Sequence, residues 1–296
     1  MAPRLAPSNR TTPGAVAVVV ATLAATLALV VTGPPSTAAV VTEVSEPPEL
    51  VATQPPAVEG RARQGQVLRA FPGRWTPERE ETRYRWLRDG EPVRGARERR
   101  YRLTALDVGT RVSVQVRVRA PGYAWTTAES ARTRRVDHRT PVRRRVTYSL
   151  TTRGRITTGV REFARLAQET YDDARGWRAG GVELRRVRRG GQFTLVLSEA
   201  RLVPSFSSSC SATWSCRVGR FVIINQDRWK HASPAWNAAG ESLRDYRHLV
   251  VNHETGHWLG RGHVGCPGSG PAPVMMQQSK GTGGCSFNPW PLPRER

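Results

Sequence analysis

The sequence predicts a multidomain protein: an apolar N-terminal segment, an all-β sandwich, and a C-terminal α+β domain built around a metal site. Three observations carry this reading. Ala15–Val31 is an uncharged run of 17 residues. Between residues 57 and 135, short stretches alternate apolar and polar side chains between turn signals, the period-2 pattern of half-buried strands. From residue 146 onward, strand-period and helix-period stretches follow one another and lead into His253-Glu254-Thr255-Gly256-His257-Trp258-Leu259-Gly260-Arg261-Gly262-His263.

The chain of 296 residues is long enough for two domains and tails. It carries 46 basic against 24 acidic residues, a net charge of +22. Only Lys230 and Lys280 are lysines, and the arginines run from Arg4 to Arg296 without clustering. This skew, with abundant Ala, Gly, Pro and Val, reads as genome composition. A basic surface still attracts lipid headgroups, wall polymers and other polyanions. No nucleic-acid-binding module is visible, so no nucleic-acid partner is expected.

Residues 1–32 are polar and basic at the start (Arg4, Arg10) and apolar from Ala15 to Val31. They read as a signal peptide or a signal anchor, which puts the rest of the chain outside the membrane, anchored or secreted. Ser36-Thr37-Ala38 offers a small-residue cleavage site. Residues 33–56 hold six prolines and few large apolar residues, and read as a spacer.

Residues 57–135 contain Trp75, the strand Tyr84-Arg85-Trp86-Leu87-Arg88 running into an Asp89-Gly90 turn, and Leu103 to Gly109 before the alternating Val112, Val114, Val116 and Val118. These residues resemble bacterial Ig-like repeats. The resemblance implies a sandwich that serves as a spacer or binds wall polymers. Residues 136–145 are basic and read as a linker.

In the last domain, 146–296, Val146–Leu150 reads as a strand. Val160, Phe163, Ala164, Ala167, Tyr171 and Ala174 share one helix face up to Trp177. Strands are expected around Val182–Val187, Phe193–Leu197 and Phe221–Asn225, with a long serine-rich loop over 202–219 that carries a short edge strand near its end. A helix should start near Ser242 with Asp245 completing a capping box. The cysteines Cys210, Cys216, Cys266 and Cys285 allow three disulfide connectivities, of which the local pairing 210–216 and 266–285 closes the shortest loops.

On that helix His253 and His257, four residues apart, point the same way and can grip one metal ion. Gly260 permits a sharp turn that swings His263 back as the third ligand. Glu254, beside the first ligand, is placed as a general base rather than a ligand. His138, His231 and His248 lack such spacing and read as surface or core residues.

The full pattern HExxHxxGxxH resembles the metzincin zinc metalloproteases. That resemblance covers roughly residues 146–296. It implies Zn2+ held by His253, His257 and His263, a fourth position open to water, Glu254 as general base, and a peptide or protein substrate lying along a sheet edge near Arg217–Arg220. It also implies a methionine turn, assigned to Met275 in Pro273-Val274-Met275-Met276. Where some metzincins place a tyrosine two residues after that methionine, this chain has Gln277. The HETGHWLG stretch and cysteine-flanked tail are similar to snapalysin-like proteases, which use aspartate where this chain has His263. PVMMQQSKG and NPWPLP look closer to an actinobacterial envelope family with the same zinc motif.

The expectation is an extracytoplasmic zinc endopeptidase. Two alternatives share its residues: a non-catalytic wall-binding protein with a structural zinc, and a zinc amidase acting on wall peptides.

Overall fold

In the computed structural model of the protein, the described residues are 46–296. The apolar segment 1–32 and most of the proline-rich stretch lie outside them. Among the described residues no helix is long and apolar enough to cross a membrane. The fold is mixed α/β with several sheets and two separate large apolar clusters.

The first cluster belongs to nine strands: β1 (Val51–Gln54), β2 (Ala57–Glu59), β3 (Val67–Phe71), β4 (Arg74–Thr76), β5 (Glu81–Arg88), β6 (Glu91–Pro92), β7 (Arg100–Arg102), β8 (Val112–Arg119) and β9 (Thr126–Glu129). All pair antiparallel, in sheets ordered β6-β5-β8-β9, β2-β3-β7 and β1-β4. The alternation of β8 buries Val112, Val114, Val116 and Val118 against Trp86, Leu68, Ala70 and Tyr101. Asp89 and Gly90 both take positive φ, 48° and 97°, as the two-residue turn between β5 and β6 requires. The sequence between β7 and β8 contributes Asp107, fully buried. Its carboxylate accepts hydrogen bonds from Tyr101 Oη (2.9 Å), Thr104 N (2.6 Å) and Arg88 Nε (2.8 Å).

Two boundaries differ from the sequence reading. The spacer 33–56 gives its last residues to the folded unit, because Leu50 is buried and β1 pairs with β4. The linker 136–145 begins inside the same unit, with Val136 buried and bridged to Val108, and ends at the next strand. Isolated apolar residues among prolines and arginines show no period, so pattern reading misses single strands added to an edge.

The second cluster lies in the C-terminal half. Its elements are β10 (Arg144–Arg153), α1 (Val160–Asp172), β11 (Val182–Arg186), β12 (Phe193–Ser198), β13 (Cys216–Val218), β14 (Phe221–Asn225), α2 (Gln226–His231), α3 (Pro234–Ala238) and α4 (Leu243–Trp258). The sheet order is β11-β10-β12-β14-β13. The first four are parallel and β13 is an antiparallel edge. Tyr148, Phe193, Leu195, Leu197, Val222 and Ile224 face α1 and α4. The opposite face carries a smaller cluster of Val196, Ile223, Val203 and Cys210. β12 is therefore covered on both faces, as parallel central strands are.

Helix α1 ends at Asp172 rather than continuing to Trp177. Asp173 accepts a hydrogen bond from Arg175 N (2.7 Å), a local turn that competes with the helix. α2 and α3 were not anticipated, although both carry cap signals: Asn225 Oδ1 accepts from Asp227 N, and Ser233 Oγ from Trp236 N ahead of Pro234.

Replacing Asp107 by alanine strands the Tyr101 hydroxyl, the Thr104 amide and the Arg88 guanidinium. We expect a loss of about 3 kcal/mol in unfolding free energy, read by urea denaturation.

Candidate metal centre

Helix α4 starts at the expected Ser242 cap, but Asp245 does not complete a capping box, because its carboxylate takes the Ser242 hydroxyl in place of the Ser242 backbone N–H. Ser242 Oγ accepts from Asp245 N (3.0 Å) and donates to the Asp245 carboxylate (2.7 Å). Tyr246, Leu249 and Val250 then bury one face in the core. His253 and His257 continue that face toward the C-terminal end of the helix. There the chain leaves through paired hydrogen bonds: Arg261 N donates to Gly256 O (2.9 Å) and Gly260 N to His257 O (3.1 Å). This 6→1 and 5→2 pattern needs a left-handed residue at Gly260, which has φ +89°. The reversal returns His263 to the two helical histidines.

The three Nε2 atoms converge. His257 lies 3.2 Å from His253 and 3.0 Å from His263, and His253 lies 3.2 Å from His263. Each of the first two rings also meets a backbone carbonyl: His253 Nδ1 donates to Val274 O and His257 Nδ1 to Arg261 O, both at 2.8 Å. A carbonyl can only accept, so Nδ1 carries the hydrogen and Nε2 presents a lone pair. Lone pairs facing one another repel unless an electrophile sits among them. Tetrahedral zinc with Zn–N bonds of ~2.0–2.1 Å sets its nitrogens ~3.3 Å apart, close to the spacing here. The carbonyl partners are those that orient metal-binding imidazoles. The donor set therefore fits a zinc ion held by His253, His257 and His263.

Beneath the histidines runs the segment of Met275. Val274 O orients His253, and Val264 N donates to Met275 O (3.3 Å), linking this segment to the chain that bears His263. Met275 is buried against α4. The approach requires a glycine: a Cβ on Gly256 would lie 2.3 Å from Met275 Sδ and 2.7 Å from Trp177 Cζ2. A glycine in mid-helix is costly, so its presence in the motif was the available signal. A second residue missed by sequence reading is Glu295. Its buried carboxylate accepts from Val274 N (3.0 Å), Met275 N (2.9 Å) and Leu292 N (2.7 Å), clamping the turn from below.

Both expected disulfides form, Cys210–Cys216 and Cys266–Cys285. The first closes a loop that Asn225 anchors, its amide donating to Ala212 O (2.8 Å). The second encloses the Met275 segment. The first also lines a cleft of about 680 Å³ whose floor is Leu249, Val250, His253, Glu254 and His257. One wall is the 210–217 loop and edge strand β13. The other is the 276–280 stretch, tied to α4 by Tyr246 Oη and Ser279 Oγ at 2.8 Å. Among the described residues β13 pairs with β14 alone, which leaves its second edge open. His248 lies elsewhere, buried with Nδ1 2.8 Å from Thr170 Oγ1, a packing role as the sequence implied.

Burial governs the charges here. It pushes the Glu254 carboxyl up to about 8, against the opposing pull of Arg217. It lowers His257 and His263, takes His253 to about 3 and His248 to about 4. In the metal-free protein the unfolded imidazoles protonate near 6.5 and the folded ones only below it, so stability falls as pH drops from there. Glu254 acts oppositely: the folded state holds a proton that the unfolded chain loses near 4.5, so its contribution declines as pH rises to about 8. We expect chelator-treated protein to melt highest at about pH 6.5–7, and Glu254→Gln to flatten the alkaline side. A melting temperature that climbs steadily to pH 8 contradicts the Glu254 environment. We further expect Glu295→Gln to weaken zinc affinity about tenfold, measured by competition with a chromogenic chelator, through loss of the Val274 and Met275 anchor.

Residues 143–284, from β10 through all three histidines, match the family described as Protein of unknown function (DUF3152). No curated protein matches the chain.

Proposed function

We propose that the C-terminal half is a metzincin-like zinc endopeptidase working outside the cytoplasm, carried by an Ig-like sandwich and an N-terminal signal or anchor segment. The observation that supports this best is the convergence of His253, His257 and His263 at the floor of an open cleft, with Glu254 beside them. A structural zinc site is ordinarily closed by a fourth protein ligand; here the neighbouring acidic residue lines the cleft and belongs to no ligand cluster.

When bound, zinc supplies Lewis acidity, acidifying a water and polarising a scissile carbonyl. The remaining work falls to the chain. Glu254 accepts the proton of the attacking water at its carboxylate and delivers it to the leaving amine, so one water and one peptide bond give a carboxylate and an amine. A carboxyl raised by burial is suited to holding that proton between the two steps, and a nearby dication favours the ionised form needed at the start. The open edge of β13 offers backbone donors and acceptors to an extended peptide, which would lie across the histidines as an added strand. Met275 and Glu295 fix His253 through Val274 and touch no substrate. Two disulfides suit an oxidising compartment.

The test is cleavage of a mixed peptide library by the zinc-loaded protein and by Glu254→Ala. We expect cleavage to drop by ~10²–10⁴ in the variant while one zinc per chain remains. Zinc bound at full stoichiometry with no Glu254-dependent cleavage of any peptide would favour the wall-binding reading. Cleavage confined to wall-peptide amides would favour the amidase.

A further inference from the structure

The β5-β8-β9 face turned away from the core gathers arginines around one indole. Cζ of Arg83 lies 4.4 Å from the centre of the Trp125 ring, that of Arg117 4.9 Å and that of Arg119 5.1 Å. Arg85 and Arg97 join Arg83, Arg117 and Trp125 along a groove of about 400 Å³. All five arginines are exposed. Register places Arg83 directly opposite Arg117. Like charges in that position destabilise a sheet. Stacking on Trp125 offsets part of the cost. Glu81 pairs with Arg119 and, at 3.8 Å, with Arg83. Among the described residues Arg85, Arg97 and Arg117 form no ion pair.

We infer that this groove is a binding site for a linear glycopolymer bearing phosphate or carboxylate groups. An arginine at every second residue of a strand sets charges ~7 Å apart, so Arg83 with Arg85 and Arg117 with Arg119 engage successive anionic groups along an extended chain. Guanidinium forks suit both oxyanions. Two competing occupants fit less well. Single-stranded nucleic acid uses open aromatic platforms for its bases, whereas guanidinium groups already crowd the Trp125 ring. A membrane surface calls for apolar side chains to insert, and none of the exposed large hydrophobic residues lies in this groove. This site stands independently of the metal centre.

The test measures binding of the full-length protein to poly(glycerol phosphate), polygalacturonate, duplex DNA and phosphatidylglycerol vesicles over a salt series. The variants are Arg83→Gln/Arg85→Gln/Arg117→Gln and, as a control of equal charge, Arg69→Gln/Arg100→Gln/Arg102→Gln on the other sheet. We expect the groove variant to lose at least ~10-fold in affinity for one of the two glycopolymers and its salt slope to fall by about 2–3, as counterion release from three contacts requires. The control should stay within about threefold. Which polymer responds identifies the oxyanion. Should the triple variant melt early, Arg85→Gln and Arg97→Gln singly must each weaken the same binding. Equal losses in both triple variants would mean net charge alone and overturn the site. So would groove-dependent binding of DNA or vesicles stronger than that of either glycopolymer.

Discussion

Three imidazole nitrogens held within about a hydrogen-bond length of each other, two of them with their hydrogens committed to backbone carbonyls on the far side of the ring, form the constraint on which the C-terminal half depends. The facing lone pairs of His253 and His257 do not attract one another. The cluster has to be imposed by the backbone, and two backbone features impose it. The left-handed turn at Gly260 ends α4 and returns His263. Two carbonyls, Val274 O and Arg261 O, hold the other two rings by Nδ1. One of those carbonyls comes from the helix-ending turn itself, so a single local structure both terminates the helix and orients His257.

The other carbonyl comes from a segment 21 residues away from His253 and needs support of its own. That support is layered. Gly256 lets Met275 and Trp177 reach the helix axis, and Trp177 Nε1 donates to Asn252 O (3.0 Å) on the same helix. Glu295 holds the turn from the far side with three backbone hydrogen bonds, and Gln278 ties it to Pro273 O and Asn288 O. Fixing a ring orientation to a few tenths of an ångström requires this depth of packing, because an imidazole on a mobile turn would lose its shared focus. Edge strand β13 and the loop closed by Cys210–Cys216 form the opposite wall.

The N-terminal unit answers to different physics. Its core is ordinary period-2 burial, but its outer face sets like charges opposite one another. At Arg83 and Arg117 an indole beneath and the Glu81 carboxylate beside them offset part of that repulsion. The histidine cluster and the arginine groove thus draw on opposite devices: converging imidazole nitrogens at one, converging guanidinium groups at the other.

The sequence by itself determined much of this protein. The alternation of Val112 to Val118, the Asp89-Gly90 turn, the Ser242 cap and the spacing of His253, His257, Gly260 and His263 are local, so neighbours in the chain suffice to read them. The short loops between cysteines likewise pointed to the pairing found. Tertiary structure decided the rest, for a stated reason in each case. α1 stopped at Asp172 because a side-chain turn outcompeted the helical period. β1 joined the β-rich N-terminal half because a partner strand 20-odd residues later was there to receive it. Trp125 acquired its arginines only through cross-strand register. Glu295 became the anchor of the Met275 turn because the C-terminal tail folds beneath it. Contacts of that kind join residues with no shared period and no fixed spacing, and only the packed chain brings them together.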